Sequence, residues 1–292
     1  MKSWLPLTVS LVAGGAALAG CRDTAAPFAP ISARIAFVSD RRLGQRDIWL
    51  MNTDGSVQLV TNHLADDDWP SWSPDGTHIA FESDRSLNYD IYTTTLDGSG
   101  VVQLTADTAF DGQPAWSPAG AKIAFISERD GANPQIYVMK ANGDSVVRLT
   151  TSIGYDVQPA WSPDGTKIAF ATNRDGDEEI YVMNADGTNP VNVTSNAAAD
   201  DAPAWSPDGA KIAFQSDRDG SDFAIYVMNA NGSGVVKLTT SAVPDELPTW
   251  SPDGQFIAFD SDAHLYLMKA DGTGLRRLTS GNETDVMPHW QP

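Results

Sequence analysis

The 292-residue chain is 41% hydrophobic and 9% aromatic, enough to bury a sizeable core and unlike a disordered segment. It carries 38 acidic against 19 basic residues, a formal net charge of −19. That field repels nucleic-acid phosphates and anionic lipid and draws cations or basic segments of other proteins, so nucleic acid is excluded as an expected partner.

The first 21 residues, MKSWLPLTVSLVAGGAALAGC, hold one lysine, a short Gly/Ala-rich apolar stretch and small residues before a cysteine, the pattern of an export signal. Leu18-Ala19-Gly20-Cys21 also resembles the bacterial lipobox. That resemblance implies diacylglycerol on the Cys21 sulfur and cleavage just before it, with an ordinary secretory signal as the alternative. Residues 1–20 are then a cleaved lipoprotein signal peptide and residues 21–30, ending in RDTAAPFAP, a short Ala/Pro tether. The expected location is the bacterial cell envelope, exported, with membrane contact through the lipid anchor only. Cys21 is the sole cysteine, so no disulfide forms within one chain and packing must supply the stability.

From residue 31 onward one phrase recurs. It reads PSWSPDGTHIAF from Pro70, PAWSPAGAKIAF from Pro114, PAWSPDGTKIAF from Pro159, PAWSPDGAKIAF from Pro203 and PTWSPDGQFIAF from Pro248, with a final PHWQP from Pro288. The spacings are 44, 45, 44, 45 and 40 residues. Each unit reads as four strands: Pro-x-Trp, a Ser-Pro-Asp-Gly turn, an Ile-Ala-Phe strand, a polar loop, an Ile-Tyr-Val-Met strand, a second Gly turn and a short fourth strand such as PVNVT. Strands two and three are apolar on both faces, so each small sheet must be covered on both sides, which a ring of sheets achieves.

The first unit begins late, at ARIAFVSD (Ala33 to Asp40), without an opening Pro-x-Trp strand, and Pro288-His289-Trp290 is that missing strand. The expected fold is therefore all-β, a six-bladed β-propeller over residues 31–292, monomeric and closed by its C-terminal strand. Trp72, Trp116, Trp161, Trp205, Trp250 and Trp290 are expected as wedges between blades. The turns NTDG, LDGSG, NADG and NANG are hairpin turns, since the spaced carboxylates of a calcium loop are missing.

These motifs resemble the TolB-like PD40 (WD40-like) β-propeller repeat family along essentially the whole of residues 31–292. The resemblance implies a protein-binding role at the cell envelope. TolB itself carries an additional N-terminal domain, where this chain shows only the short tether.

An aspartate stands three residues before every blade-opening proline: Asp67, Asp111, Asp156, Asp200, Asp245 and Asp285. These six should ring one mouth of the central channel, as candidates for binding a partner or a cation. At ~8 Å spacing and an effective dielectric of ~20, neighbouring carboxylates repel by roughly 2 kcal/mol per pair, so counter-charges are needed. Arg41, Arg85, Arg129, Arg174 and Arg218 recur in the loop between strands two and three, and are expected to pair with the ring and lock adjoining blades through bidentate contacts. In the sixth unit Ala263 replaces the arginine, which leaves Asp245 or Asp285 to face a ligand.

No catalytic constellation is evident. His63, His78, His264 and His289 have no metal-ligand spacing, and no G-x-S-x-G elbow occurs. The expected function is non-catalytic binding of a protein or peptide with a basic segment, without a cofactor. One alternative is a polysaccharide hydrolase or lyase built on the propeller, which an unpaired carboxylate of strongly raised pKa in the mouth would mark. The other is a calcium-stabilised structural scaffold.

Overall fold

The structure, a computed structural model, describes residues 31–220 and 222–292. The expected signal peptide, Cys21 and the tether lie outside the described residues. Among the described residues, twenty-four strands form six four-stranded antiparallel sheets, and no helix is long and apolar enough to cross a membrane. Numbering blades in chain order, blade 4 shows the common plan: Asp156–Trp161, Lys167–Thr172, Glu179–Asn184 and Val191–Asn192, hydrogen-bonded in that order. Blade 1 is the composite one, with Asp285–Trp290 pairing against Ile35–Arg42 so that Ile35 faces Trp290 and Ser39 faces Asp285. The first and last of the described strands thus lie in one sheet, and among the described residues the ring has no free inner edge.

Ser-Pro-Asp-Gly reverses the chain for physical reasons that repeat. The Gly165 N–H donates to the Ser162 carbonyl at 2.8 Å, the Ser162 hydroxyl donates to Asp164 at 2.6 Å, and Gly165 takes a φ of +70° that a side chain would resist. A Cβ on Gly165 would also stand 3.4 Å from Pro118 of the preceding blade, so this glycine closes a contact between blades.

The core lies between the sheets. Phe37, Phe81, Phe125, Phe170, Phe214 and Phe259 of the second strands are all buried. One cluster packs Phe170 and Met183 of blade 4 against Ile126 and Ile136 of blade 3. Four of the six tryptophans tie neighbouring blades: the indole N–H of Trp72 donates to the His289 carbonyl at 3.0 Å, that of Trp161 to Ala115 at 3.1 Å, that of Trp205 to Ala160 at 3.2 Å and that of Trp250 to Ala204 at 3.2 Å, while those of Trp116 and Trp290 find no acceptor among the described residues. The fourth strands are shorter than the sequence suggests, two residues in blades 2 to 6. In blade 4 the Thr194 hydroxyl, rather than a backbone carbonyl, accepts the Ile180 N–H at 3.0 Å and ends the ladder.

Each innermost strand carries a bulge, in blade 4 between Val157 and Ala160. The bulged residues Trp69, Gln113, Gln158, Ala202, Leu247 and Met287 all have φ between +50° and +56°. None is glycine, so each carries about 1–2 kcal/mol of backbone strain. In five of the six, a side chain of the preceding blade offsets it. The Gln113 N–H donates to Glu82 at 2.7 Å, Gln158 N–H to the Gln113 side chain at 2.8 Å, and Ala202 N–H to that of Gln158 at 2.8 Å. Leu247 N–H donates to Gln215 at 2.7 Å and Met287 N–H to Asp260 at 3.1 Å, so the series runs through blades 2 to 6 and on into blade 1.

Candidate binding site at the acidic mouth

In every blade the loop between strands two and three and the crossing into the next blade open on the same end of the ring. Asp67, Asp111, Asp156, Asp200, Asp245 and Asp285 begin the innermost strands at that end, all buried. Arg85 meets Asp67 at 2.7 Å, Arg129 meets Asp111 at 2.8 Å, Arg174 meets Asp156 at 2.8 Å, Arg218 meets Asp200 at 2.6 Å and Arg41 meets Asp285 at 2.5 Å.

Two features of these pairs correct the sequence expectation. They join strands of one blade, not neighbouring blades, because the last residue of strand two, such as Ser83, lies directly opposite the ring aspartate, and the arginine two residues on folds back over its own sheet. They are also not two-armed forks; even at Asp111 a single nitrogen of Arg129 reaches both oxygens. The Nε–H of Arg85 is instead given to the Ser83 hydroxyl at 2.9 Å, and its guanidinium lies 5.2 Å from the Phe81 ring centre and 4.8 Å from that of Tyr92. Five blades repeat this nest of carboxylate, hydroxyl and two aromatic faces.

Blade 6 has Phe259 and Tyr266 stacked at 5.8 Å, and Ala263 stands where the other blades place the arginine that covers this pair. Its loop shrinks to Asp262 and Ala263, both at positive φ, with His264 paired to Ser261. Asp245 is nonetheless buried and accepts the Ser241 hydroxyl at 2.7 Å. Asp285, the other acid expected to face a ligand, is closed off by Arg41. None of the six ring aspartates lines either of the two cavities at the channel.

The residues that do line them come from further along the same innermost strands and from the loops around the mouth. A chamber of about 560 Å³ is walled by the six tryptophans, the six prolines and the bulged residues. His289 faces it, and desolvation holds its imidazole down at about 4, hence neutral. A second cavity of about 230 Å³ lies beside the mouth, lined by Arg46, Asp68, Glu82, Tyr89, Phe110 and Glu128, and it shares Trp69, Gln113 and Met287 with the chamber. Burial pushes Asp68 up to about 7 and Glu82 up to about 8. Arg46 partly offsets the first, at 3.1 Å from Asp68.

Across the ring Asp201 and Asp260 are raised well above the usual carboxylate range by burial and then by neighbouring Glu178 and Glu246. The repeat hides these acids because they break it. The position after the ring aspartate reads Asp68, Gly112, Val157, Asp201, Glu246 and Val286, and its partner on strand two reads Glu82, Ile126, Ala171, Gln215, Asp260 and Val38. Among the described residues no three His, Cys, Asp or Glu side chains stand where they could hold a metal ion.

A pH dependence follows. The folded-state values of Asp68 and Glu82 lie above their unfolded ones, so the stability they confer is complete below about pH 4 and is lost as pH rises towards 8. Each group contributes a slope of about 1.4 kcal/mol per pH unit in that window. Asp68→Asn and Glu82→Gln are expected to flatten the fall, measured by urea denaturation at pH 5 and pH 8. An unchanged slope would show that these carboxyls titrate normally.

Fold and mouth together define a six-bladed β-propeller with loops gathered around an acidic mouth. The chain matches the family described as PD40, the TolB beta propeller domain, over residues 86–159, 152–263 and 202–292. It belongs to that TolB β-propeller family. Among solved structures it is similar to TolB from Acinetobacter baumannii, at 27% identity and a TM-score of 0.79, covering 89% of this chain and 67% of that one. It is also similar to a putative TolB from Agrobacterium tumefaciens, at 24% identity and a TM-score of 0.72, covering 90% and 100%. An oligogalacturonate lyase from Vibrio parahaemolyticus shares 16% identity at a TM-score of 0.60, covering 86% and 75%, a likeness of fold alone. No curated protein matches the sequence.

Proposed function

We propose that this chain is a non-catalytic, lipid-anchored propeller of the bacterial cell envelope that holds a protein or peptide with a basic segment on its loop face. The observation that carries this reading is a set of three exposed leucines on adjoining loops beside the acidic cavity. Leu43, Leu64 and Leu87 are 79%, 75% and 100% exposed on the loops of blades 1 and 2. Leu43 and Leu87 also sit at φ of +58° and +86°, a strained backbone for leucine with no packing gain. The three loops are knit together, Gln45 donating to the Leu64 carbonyl at 2.9 Å and Arg46 to the Tyr89 hydroxyl at 3.3 Å. Exposed leucines beside a cavity lined by carboxyls suit an amphipathic, basic partner, and the family likeness to TolB supports a binding scaffold.

Leu43→Asp with Leu87→Asp is expected to cut recovery of a discrete envelope partner at least tenfold in co-purification, while Val236→Asp on the outer rim leaves recovery unchanged. Equal loss in both variants would contradict the assignment of the loop face.

One observation favours a second reading. The raised carboxyls Asp68 and Glu82 are the mark that the sequence associates with a polysaccharide hydrolase or lyase. Glu82 however accepts the strained Gln113 N–H, and Asp68 is held by Arg46, so both have structural work without a substrate. Turnover of acidic or neutral oligosaccharides that disappears in Glu82→Gln would establish that second reading.

A further inference from the structure

The cavity of about 230 Å³ beside the mouth holds three carboxyls, those of Asp68, Glu82 and Glu128, against the one guanidinium of Arg46. Asp68 is only 2% exposed, and while its Oδ2 meets Arg46 at 3.1 Å its Oδ1 has no partner at all. A buried carboxylate oxygen without a donor is costly unless a ligand supplies one. Aromatic walls stand around it: Trp69 from the bulge, and Tyr89 against Phe110 with ring centres 5.6 Å apart. The same chain shows what such surroundings hold. In five blades a guanidinium lies over two aromatic rings with a carboxylate at its edge, and the cavity repeats carboxylate and aromatic faces with one oxygen left over.

We propose that this cavity is a receptor for a single guanidinium, the arginine side chain of a docking partner, which stacks between Trp69 and the Tyr89–Phe110 wall and donates to the free oxygen of Asp68. The proposal rests on the binding role above and specifies the basic group that the partner must carry. An ammonium has no flat face for the walls and only a point charge for the carboxylates, so lysine fits less well. Burial raises Asp68 and Glu82 while the cavity is empty, so a bound cation that favours their ionised forms displaces protons. The charged and titratable groups that face or adjoin these two are Arg46, Asp66, Asp67, Asp84, Tyr89 and Glu128.

The test uses the purified full-length chain and small probes, so that it is independent of any partner. Calorimetry with N-acetyl-arginine methylamide is expected to show one site, with proton release at pH 6.5 revealed by buffers of different ionisation enthalpy. The uncharged citrulline counterpart is expected not to bind up to 10-fold higher concentration, and the lysine counterpart to bind several-fold more weakly. Asp68→Asn and Trp69→Ala should each weaken the arginine probe at least tenfold. Trp69→Phe, which keeps a stacking face, should retain most of the affinity and serves as the folded control. Absence of arginine binding, equal binding of citrulline, or full affinity in Asp68→Asn would overturn the proposal. Should the probes fail while the leucine variants still abolish partner recovery, the guanidinium site falls and the loop face stands. Should the probes bind while those variants recover the partner normally, the loop-face reading falls instead.

Discussion

Arg174→Ala is expected to destabilise the propeller by about 3–5 kcal/mol, because it strands a carboxylate that has no access to water. Asp156 is fully buried, its Oδ1 meets Arg174 at 2.8 Å, and its Oδ2 has no other partner. Loss of the guanidinium also removes the cation seated over Phe170 and Tyr181. For a domain of this size the change corresponds to a fall in Tm of roughly 6–20 °C. The molecule contains its own control in blade 6, where Asp245 does without an arginine by accepting the Ser241 hydroxyl. Asp245→Asn, which keeps an acceptor, is expected to move stability by less than about 1.5 kcal/mol. Calorimetric melting of both variants at pH 7 checks the contrast. Similar melting of Arg174→Ala and the parent would show that the repeated pairs add little.

Removal of residues 285–292 is expected to abolish cooperative folding. That segment supplies the innermost strand of blade 1, pairs with Ile35–Arg42, gives Arg41 its carboxylate and accepts the Trp72 indole N–H through the His289 carbonyl. Loss of the buried Trp290 alone costs about 3–5 kcal/mol, a large part of the 5–15 kcal/mol that holds a typical domain together. The exposed edge of Ile35–Arg42 would then pair with other chains. The truncated protein should elute as oligomers and melt without a cooperative transition, and a synthetic peptide covering 284–292 should restore both properties. A truncated monomer with a near-parental Tm would mean that the closing strand is dispensable.

Architecture was legible because it repeats. Tryptophan, Ser-Pro-Asp-Gly and Ile-Ala-Phe recur at fixed spacing, and the displaced Pro288-His289-Trp290 reveals where the ring closes. The ring aspartates and loop arginines were visible for the same reason. Their partners within a blade were not, since the sequence does not show that Ser83 and Asp67 face each other across a ladder. The bulge was equally hidden: Trp69, Gln113, Gln158, Ala202, Leu247 and Met287 share a backbone angle and no chemistry.

The candidate site was missed because it is written in departures from the repeat. Glu82 and Asp260 occupy the position after Ile-Ala-Phe that holds Ile126 or Ala171 in other blades, and a charge in that apolar strand was the available signal. Repetition reports on the scaffold, which every blade must satisfy. Recognition requires that the blades differ, and blades 1 and 2 depart from the repeat on the loop face through Leu43, Leu64 and Leu87 and, at the cavity, through Asp68 and Glu82.

The central claim, that the partner docks on this face, is tested most directly by photo-crosslinking in intact cells from a photoreactive residue placed at Leu87, compared with one at the exposed Ala119 in a turn at the opposite end of the ring. The account predicts a discrete crosslinked adduct from Leu87 that is absent from Ala119. An adduct from Ala119 with none from Leu87 would contradict it.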